Sequence, residues 1–332
     1  MYLRFFKSAF FTQYLLIGTI GLVLWLPAVL NPPQMPSPDG PVLLYALIYE
    51  ALHGTPLLAA FLGFMLICWE TWFFAKIINK NELVLKNSSV SALLFMILIS
   101  LFPNQLTLTP TALALFFILL TINQLMIIYR KPEHFDRIFA VGFYTALASL
   151  FYLPVLLWMG LPIISFFLFR SGLWREWFAA IIGLLTPFIY LSFFFFWNDE
   201  FISRASEYLV FFRNPNLSDL LLGPGFFVPE GMVLALALWG TLKRWGFPLE
   251  KTVELRTKIN LFFWTLVFTL LSSIYSHSLT EYHAMLAIPA LAMIIASALT
   301  TIKKPRVIEA VLLVLFLALL INNFLLYPMN LH

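Results

Sequence analysis

The feature that most constrains this chain is a succession of apolar runs, most near twenty residues, each closed by a charged or Pro/Gly/Asn-rich break. A helix needs about 20 residues to cross a hydrocarbon layer about 30 Å thick, whereas a membrane barrel would show alternating segments of about ten. Cutting at the breaks gives apolar segments 9–30, 55–78, 89–104, 109–129, 138–153, 154–169, 175–197, 226–242, 259–279, 284–302 and 307–327. They predict an all-α, polytopic helical membrane protein with about 11 transmembrane helices, a single integral membrane domain over residues 1–332. Composition agrees, since 61% of the residues are apolar and only 11% charged, against about 25% charged in soluble domains.

The apolar block from Phe139 to Phe169 is too long for one crossing and short for two. Pro154 and the Gly160-Leu161-Pro162 run break its middle and predict two short helices. Basic residues support the split, because cytoplasmic loops are enriched in Lys and Arg. With the N-terminus cytoplasmic, 18 of the 20 Lys and Arg residues fall on one side and only Arg204 and Arg213 on the other. Merging the block would invert the later loops. The basic start of the chain resembles a signal peptide, but the apolar run is long and no A-x-A site follows, so a retained first helix is expected. The C-terminus then lies on the periplasmic side.

Two outward segments exceed a tight turn, 31–54 and 198–225, and both are expected to carry interfacial helices. In the second, Phe201, Ala205, Tyr208, Leu209 and Phe212 share one helical face, with Glu200, Arg204 and Glu207 opposite or flanking. The first contains Asp39 in a proline-stiffened loop. A carboxylate there suits a general base or a metal-orienting group, while Pro-Asp-Gly is equally ordinary turn chemistry. Glu50 and His53 are three apart on a short helix, placed for an acid–base pair or for a structural contact.

His277, Glu281, Tyr282 and His283 crowd a short outer turn. Two histidines and a glutamate are metal-ligating types, but their spacing matches no zinc signature, and the turn alone cannot fix a tetrahedral site. A sugar- or phosphate-facing patch and a solvated interfacial turn are the other readings, and no metal is assigned. Glu70 lies inside the second apolar segment, where a hydrogen bond to Asn123 or Gln124 is expected and a proton relay is the alternative. The single cysteine, Cys68, excludes an intrachain disulfide. No phosphate-binding loop, dinucleotide glycine fingerprint, H-E-x-x-H or CxxC pair is present, so no soluble cofactor is expected. Net charge of +4 in so apolar a chain reports orientation and gives no indication of nucleic-acid binding.

The order of a first helix, an acidic outer loop with a short helix, and then many crossings resembles the GT-C-type glycosyltransferases that use polyprenyl-phosphate sugars. The layout of "LFPNQLTLTPTALALFFILLTINQLMIIYR" and "FAVGFYTALASLFYLPVLLWMGLPIISFFLF" is similar to that family's third to sixth helices, and "YHAMLAIPALAMIIA" to a late one. A second resemblance covers nearly the whole chain. On "NKNELV", "SLFPNQLTLTPTALALFFILLTINQL" and "WREWFAAIIGLLTPFIYLSFFFFW" it is similar to a polytopic inner-membrane protein family of Bacteroidota that carries no assigned activity.

The first resemblance implies sugar transfer at the outer face of a bacterial inner membrane, with Asp39 as base and Tyr282 and His283 near the donor. Two departures stand out. The family's acidic pair is here a lone Asp39, and the helix that often supplies a lysine to the carrier phosphate here reads "ALASLFYLP", with Phe151 near the expected lysine. Arg204 and Arg213 are the candidate substitutes, since arginine binds phosphate oxygens bidentately. Glu50, His53, His277 and Glu281 complete the candidate substrate- or lipid-phosphate-binding set. The expected partners are membrane lipid, a polyprenyl-phosphate sugar and a membrane protein partner. A non-catalytic lipid-binding or assembly subunit is the alternative, and a small-solute transporter a third reading.

Overall fold

The structure, a computed structural model, describes residues 11–84, 88–129, 134–169, 174–215, 228–245, 253–276, 280–300 and 305–326. The regular structure of the described residues is all helical, with no strand. In chain order the helices are α1 (Phe11–Leu30), α2 (Leu43–Leu52), α3 (Pro56–Lys80), α4 (Val90–Ile99), α5 (Pro110–Ile128), α6 (Phe135–Phe151) and α7 (Gly160–Phe169). There follow α8 (Trp174–Trp197), α9 (Phe201–Arg213), α10 (Val228–Trp245), α11 (Val253–Ser272), α12 (Ile288–Thr300) and α13 (Pro305–Ile321).

Five spans, Thr12–Leu30, Pro56–Lys80, Pro110–Ile128, Trp174–Trp197 and Val253–Tyr275, are long and apolar enough to cross a membrane. The other apolar segments form shorter helices. α4 is an example: Ser100 and Pro103 stop it after ten residues, about 15 Å of helix, half a hydrocarbon layer. All ten are buried. It forms the centre of the bundle, where Phe95 stacks on Phe74 of α3 at 4.8 Å and Phe74 meets Phe262 of α11 edge-on at 6.2 Å.

The long apolar block divides where Pro154 predicts. α6 ends at Phe151, a 3-10 segment runs Leu153–Met159, and α7 follows. The chain also turns back there. Trp158 donates to Ser272 Oγ at the end of α11 (3.2 Å), while Gly160, two residues on, packs against Phe268, a turn earlier in α11. α6 and α8 pack most closely of all. A Cβ at Gly142 would collide with the Ala180 carbonyl, and one at Gly183 with the Phe139 carbonyl, so these glycines let the two backbones touch. Elsewhere α8 exposes Ile182, Tyr190, Phe193, Phe196 and Trp197.

Polar ties mark the two ends of the bundle. At one end Lys258 reaches Asn81 Oδ1 (3.0 Å) and Glu254 (2.7 Å) beside the Tyr129 ring, joining the end of α3, the end of α5 and the start of α11. At the other end Asn323 donates to the carbonyls of Leu24 (3.3 Å) and Ser100 (3.2 Å), and Asn322 donates to Leu101 O (3.3 Å). The loop 31–42 lies at this second end.

Candidate functional site

The 31–42 segment folds onto the helix that follows it. Met35, Pro36 and Val42 are buried, and the Tyr45 hydroxyl, on the first turn of α2, donates to Pro36 O at 2.6 Å. Gly40 has φ +78°, the left-handed region that a side chain rarely adopts. Its missing Cβ also leaves space for Phe211 of α9, whose Cδ2 would stand 2.8 Å from a Cβ there. The Pro-Asp-Gly turn is therefore also a docking point for the second outer segment.

α9 reaches it through a sharp reversal. Asp199 takes φ +57°, and Glu200 N–H closes back on Phe195 O at 2.9 Å; aspartate tolerates this conformation better than most residues. Tyr208, Phe211 and Phe212 face the loop, and the Tyr275 ring lies 6.4 Å from Phe211 and 5.4 Å from Phe212. The buried stripe differs from the predicted one: Leu209 and Phe201 point outward, and Phe211 takes the inner position. Phe211 turns inward where it meets the Gly40 notch, and that is a tertiary contact.

Beside this loop lies a buried hydrogen-bonded chain. His283 Nε2 is 2.8 Å from Thr269 O, and a carbonyl only accepts, so Nε2 carries the proton. Nδ1 is then an acceptor, and the Tyr152 hydroxyl donates to it at 2.9 Å. Ser272 Oγ stands 3.3 Å from Nε2. Asp39, half-buried, is within electrostatic reach of Tyr152. His283 lies on the short turn Thr280–His283, outside the apolar spans, and burial lowers its pKa to about 4 against the opposing pull of the Thr269 hydrogen bond. It is a neutral imidazole at physiological pH.

The remaining predicted residues divide. Tyr282 is half-buried, packs on the main core and lies within electrostatic reach of Tyr45. Glu50 is exposed, and the exposed His53 turns Nδ1 to the carbonyls of Tyr49 (3.0 Å) and Glu50 (3.2 Å) while stacking on Tyr49. That imidazole caps α2, and it does not pair with the Glu50 carboxylate. Arg204 is held between Glu200 (3.2 Å) and Glu207 (3.1 Å) on its own helix. Arg213, the last residue of α9, is exposed, with no ion pair among the described residues. Glu281 lies on the Thr280–His283 turn; His277 falls outside the described residues, as does 216–225 of the second outer loop. Glu70 does not meet Asn123 or Gln124: Gln124 Oε1 accepts from Arg137 at 3.0 Å, and among the described residues both Glu70 oxygens lack hydrogen-bond partners.

Sequence reasoning missed Tyr152, Thr269 and Phe211. Tyr152 had a signal in the Phe-Tyr-Leu-Pro sequence, where the helix must end and its last side chains face a corner. Among the described residues no group of three or more His, Cys, Asp and Glu is placed to hold a metal ion. Among the described residues the fold is all-helical, with five helices long and apolar enough to cross a membrane, and the 31–42 loop and α9 dock beside a buried tyrosine–histidine pair. No protein family, characterised protein or solved structure matches the chain.

Proposed function

We propose that the chain is a GT-C-like transferase that passes a sugar from a polyprenyl-phosphate donor to an acceptor hydroxyl at the loop end of the bundle. The observation that carries this reading is the convergence of Asp39, the Phe211 face of α9 and the Tyr152–His283 pair at one end. In the reaction Asp39 takes the acceptor's hydroxyl proton as its oxygen attacks the anomeric carbon. The bond from that carbon to the phosphate oxygen breaks, and the lipid phosphate leaves with the electron pair. Arg213 is the cation offered to that phosphate, because Arg204 is engaged by two carboxylates. The distribution of Lys and Arg supports an inner-membrane location with this end periplasmic.

Asp39→Asn tests the assignment. Purified protein in lipid nanodiscs, supplied with polyprenyl-phosphate sugars and envelope acceptors, should lose transfer by about 100-fold or more on losing the base, with unchanged helicity and melting. Full activity in the variant removes Asp39 from catalysis.

The saturated Arg204 and the buried Tyr152–His283 pair favour a second reading, a non-catalytic lipid-binding or assembly subunit of an envelope complex. Native mass spectrometry separates the two, since a stoichiometric partner chain supports the subunit and turnover by the isolated protein excludes it.

A further inference from the structure

Glu70 lies well inside α3, fourteen residues after Pro56 and ten before Lys80. Its side chain is fully buried, and among the described residues neither carboxyl oxygen has a hydrogen-bond partner. It lies between Ile67 and Phe74 on the inward face of α3. One end of that face is fixed by Gly63, where a Cβ would stand 2.7 Å from the Thr107 backbone, and the other by the Phe74–Phe95 stack.

Among the described residues the surroundings offer no countercharge. α4 and α5, both packed on α3, contain no ionisable side chain. α1 contributes only Tyr14, which lies near Asn79, about two and a half turns of α3 from Glu70. The ionisable residues of α2 are Tyr45, Tyr49 and Glu50, at the loop end. On α11, which reaches α3 through Phe262, Glu254, Arg256 and Lys258 occupy the first turns, and Lys258 is bonded to Asn81 and Glu254. Lys76 lies over the partly exposed Trp72 ring at 5.0 Å. A bare carboxylate in such surroundings is far costlier than a neutral carboxylic acid.

We propose that Glu70 is an intramembrane proton-binding site that holds one exchangeable proton on its carboxyl group. Releasing that proton leaves an unpaired charge on the face that α3 packs against α4 and α5, so occupancy of the site and packing of α3 are linked. The proposal is independent of the sugar-transfer reading.

Dicyclohexylcarbodiimide, a lipid-soluble reagent, tests it on the wild-type protein in nanodiscs. The reagent takes the carboxylic acid's proton on a nitrogen, bonds the carboxyl oxygen at its central carbon and rearranges to a stable N-acylurea. Peptide mass spectrometry should find the adduct on Glu70, while a water-soluble carbodiimide modifies exposed carboxylates such as Glu50 and Glu207 and spares Glu70. Infrared spectra should contain a protonated-carboxyl band that disappears in Glu70→Gln. Three results overturn the proposal: no band and no adduct at Glu70, equal modification by the water-soluble reagent, or protection by excess sodium chloride at fixed pH, which would make the ligand a metal cation. Labelling is read on the wild-type chain, so poor folding of the variant does not affect that outcome.

Discussion

His283 is held through both ring nitrogens, by Thr269 O on one side and the Tyr152 hydroxyl on the other, and this makes its protonation a stability variable. Its folded pKa falls from 6.5 to about 4, mainly through burial. Between these values the unfolded chain binds a proton that the folded chain refuses, so stability falls as pH drops through 6.5 and levels off below about 4. The loss between pH 7.5 and 4.5 should be on the order of 2 kcal/mol. Thermal unfolding in detergent over that range should show the slope in the wild type and a flatter profile in His283→Gln. An equal slope in both would assign it to other groups. The sequence made His283 a candidate because it crowds a short turn with His277, Glu281 and Tyr282. It could not supply Tyr152 as the partner, because 131 residues separate the two.

At the scale of elements, the crossing of α6 over α8 depends on two glycines. Gly142→Ala and Gly183→Ala each drive a methyl into a backbone carbonyl of the opposing helix, which no rotamer change relieves. Each should destabilise by about 1–3 kcal/mol. Gly18→Ala, with nothing within 4 Å of its added Cβ, should be neutral or slightly stabilising because alanine favours helix. Comparative melting of the three variants checks this, and indistinguishable midpoints would mean that α6 and α8 do not touch at those residues. Such contacts explain why the helices were legible and their arrangement was not. Hydrophobic runs and Pro154 marked where helices begin and end. Whether a run such as 89–104 becomes a full crossing or a ten-residue buried helix depends on what surrounds it. The same limit applies to α9: its existence followed from periodicity, while its inward face follows from Phe211 entering the space beside Gly40.

Across the whole molecule, the separation of the two ends links charge to function. Lys258, Asn81 and Tyr129 meet at one end, while Gly40, Phe211, Tyr152 and His283 gather at the other. Of the described basic residues, Lys80, Arg137, Arg175 and Lys258 belong with the first group, and the 31–42 loop and α9 with the second, as the positive-inside preference requires if the loop end is periplasmic. Because Cys68 is the only cysteine, a Cys68→Ala background leaves no native thiol to label. Single cysteines at Glu50 and Lys80, both exposed and at opposite ends, then report each face separately. A membrane-impermeant maleimide applied to intact spheroplasts should label Glu50→Cys, and should label Lys80→Cys only after the membrane is opened. The reverse pattern would put the lysine-rich end outside and Asp39 in the cytoplasm, where a periplasmic acceptor could not reach it. Labelling of both from one side would mean that α3, although long and apolar enough, does not cross.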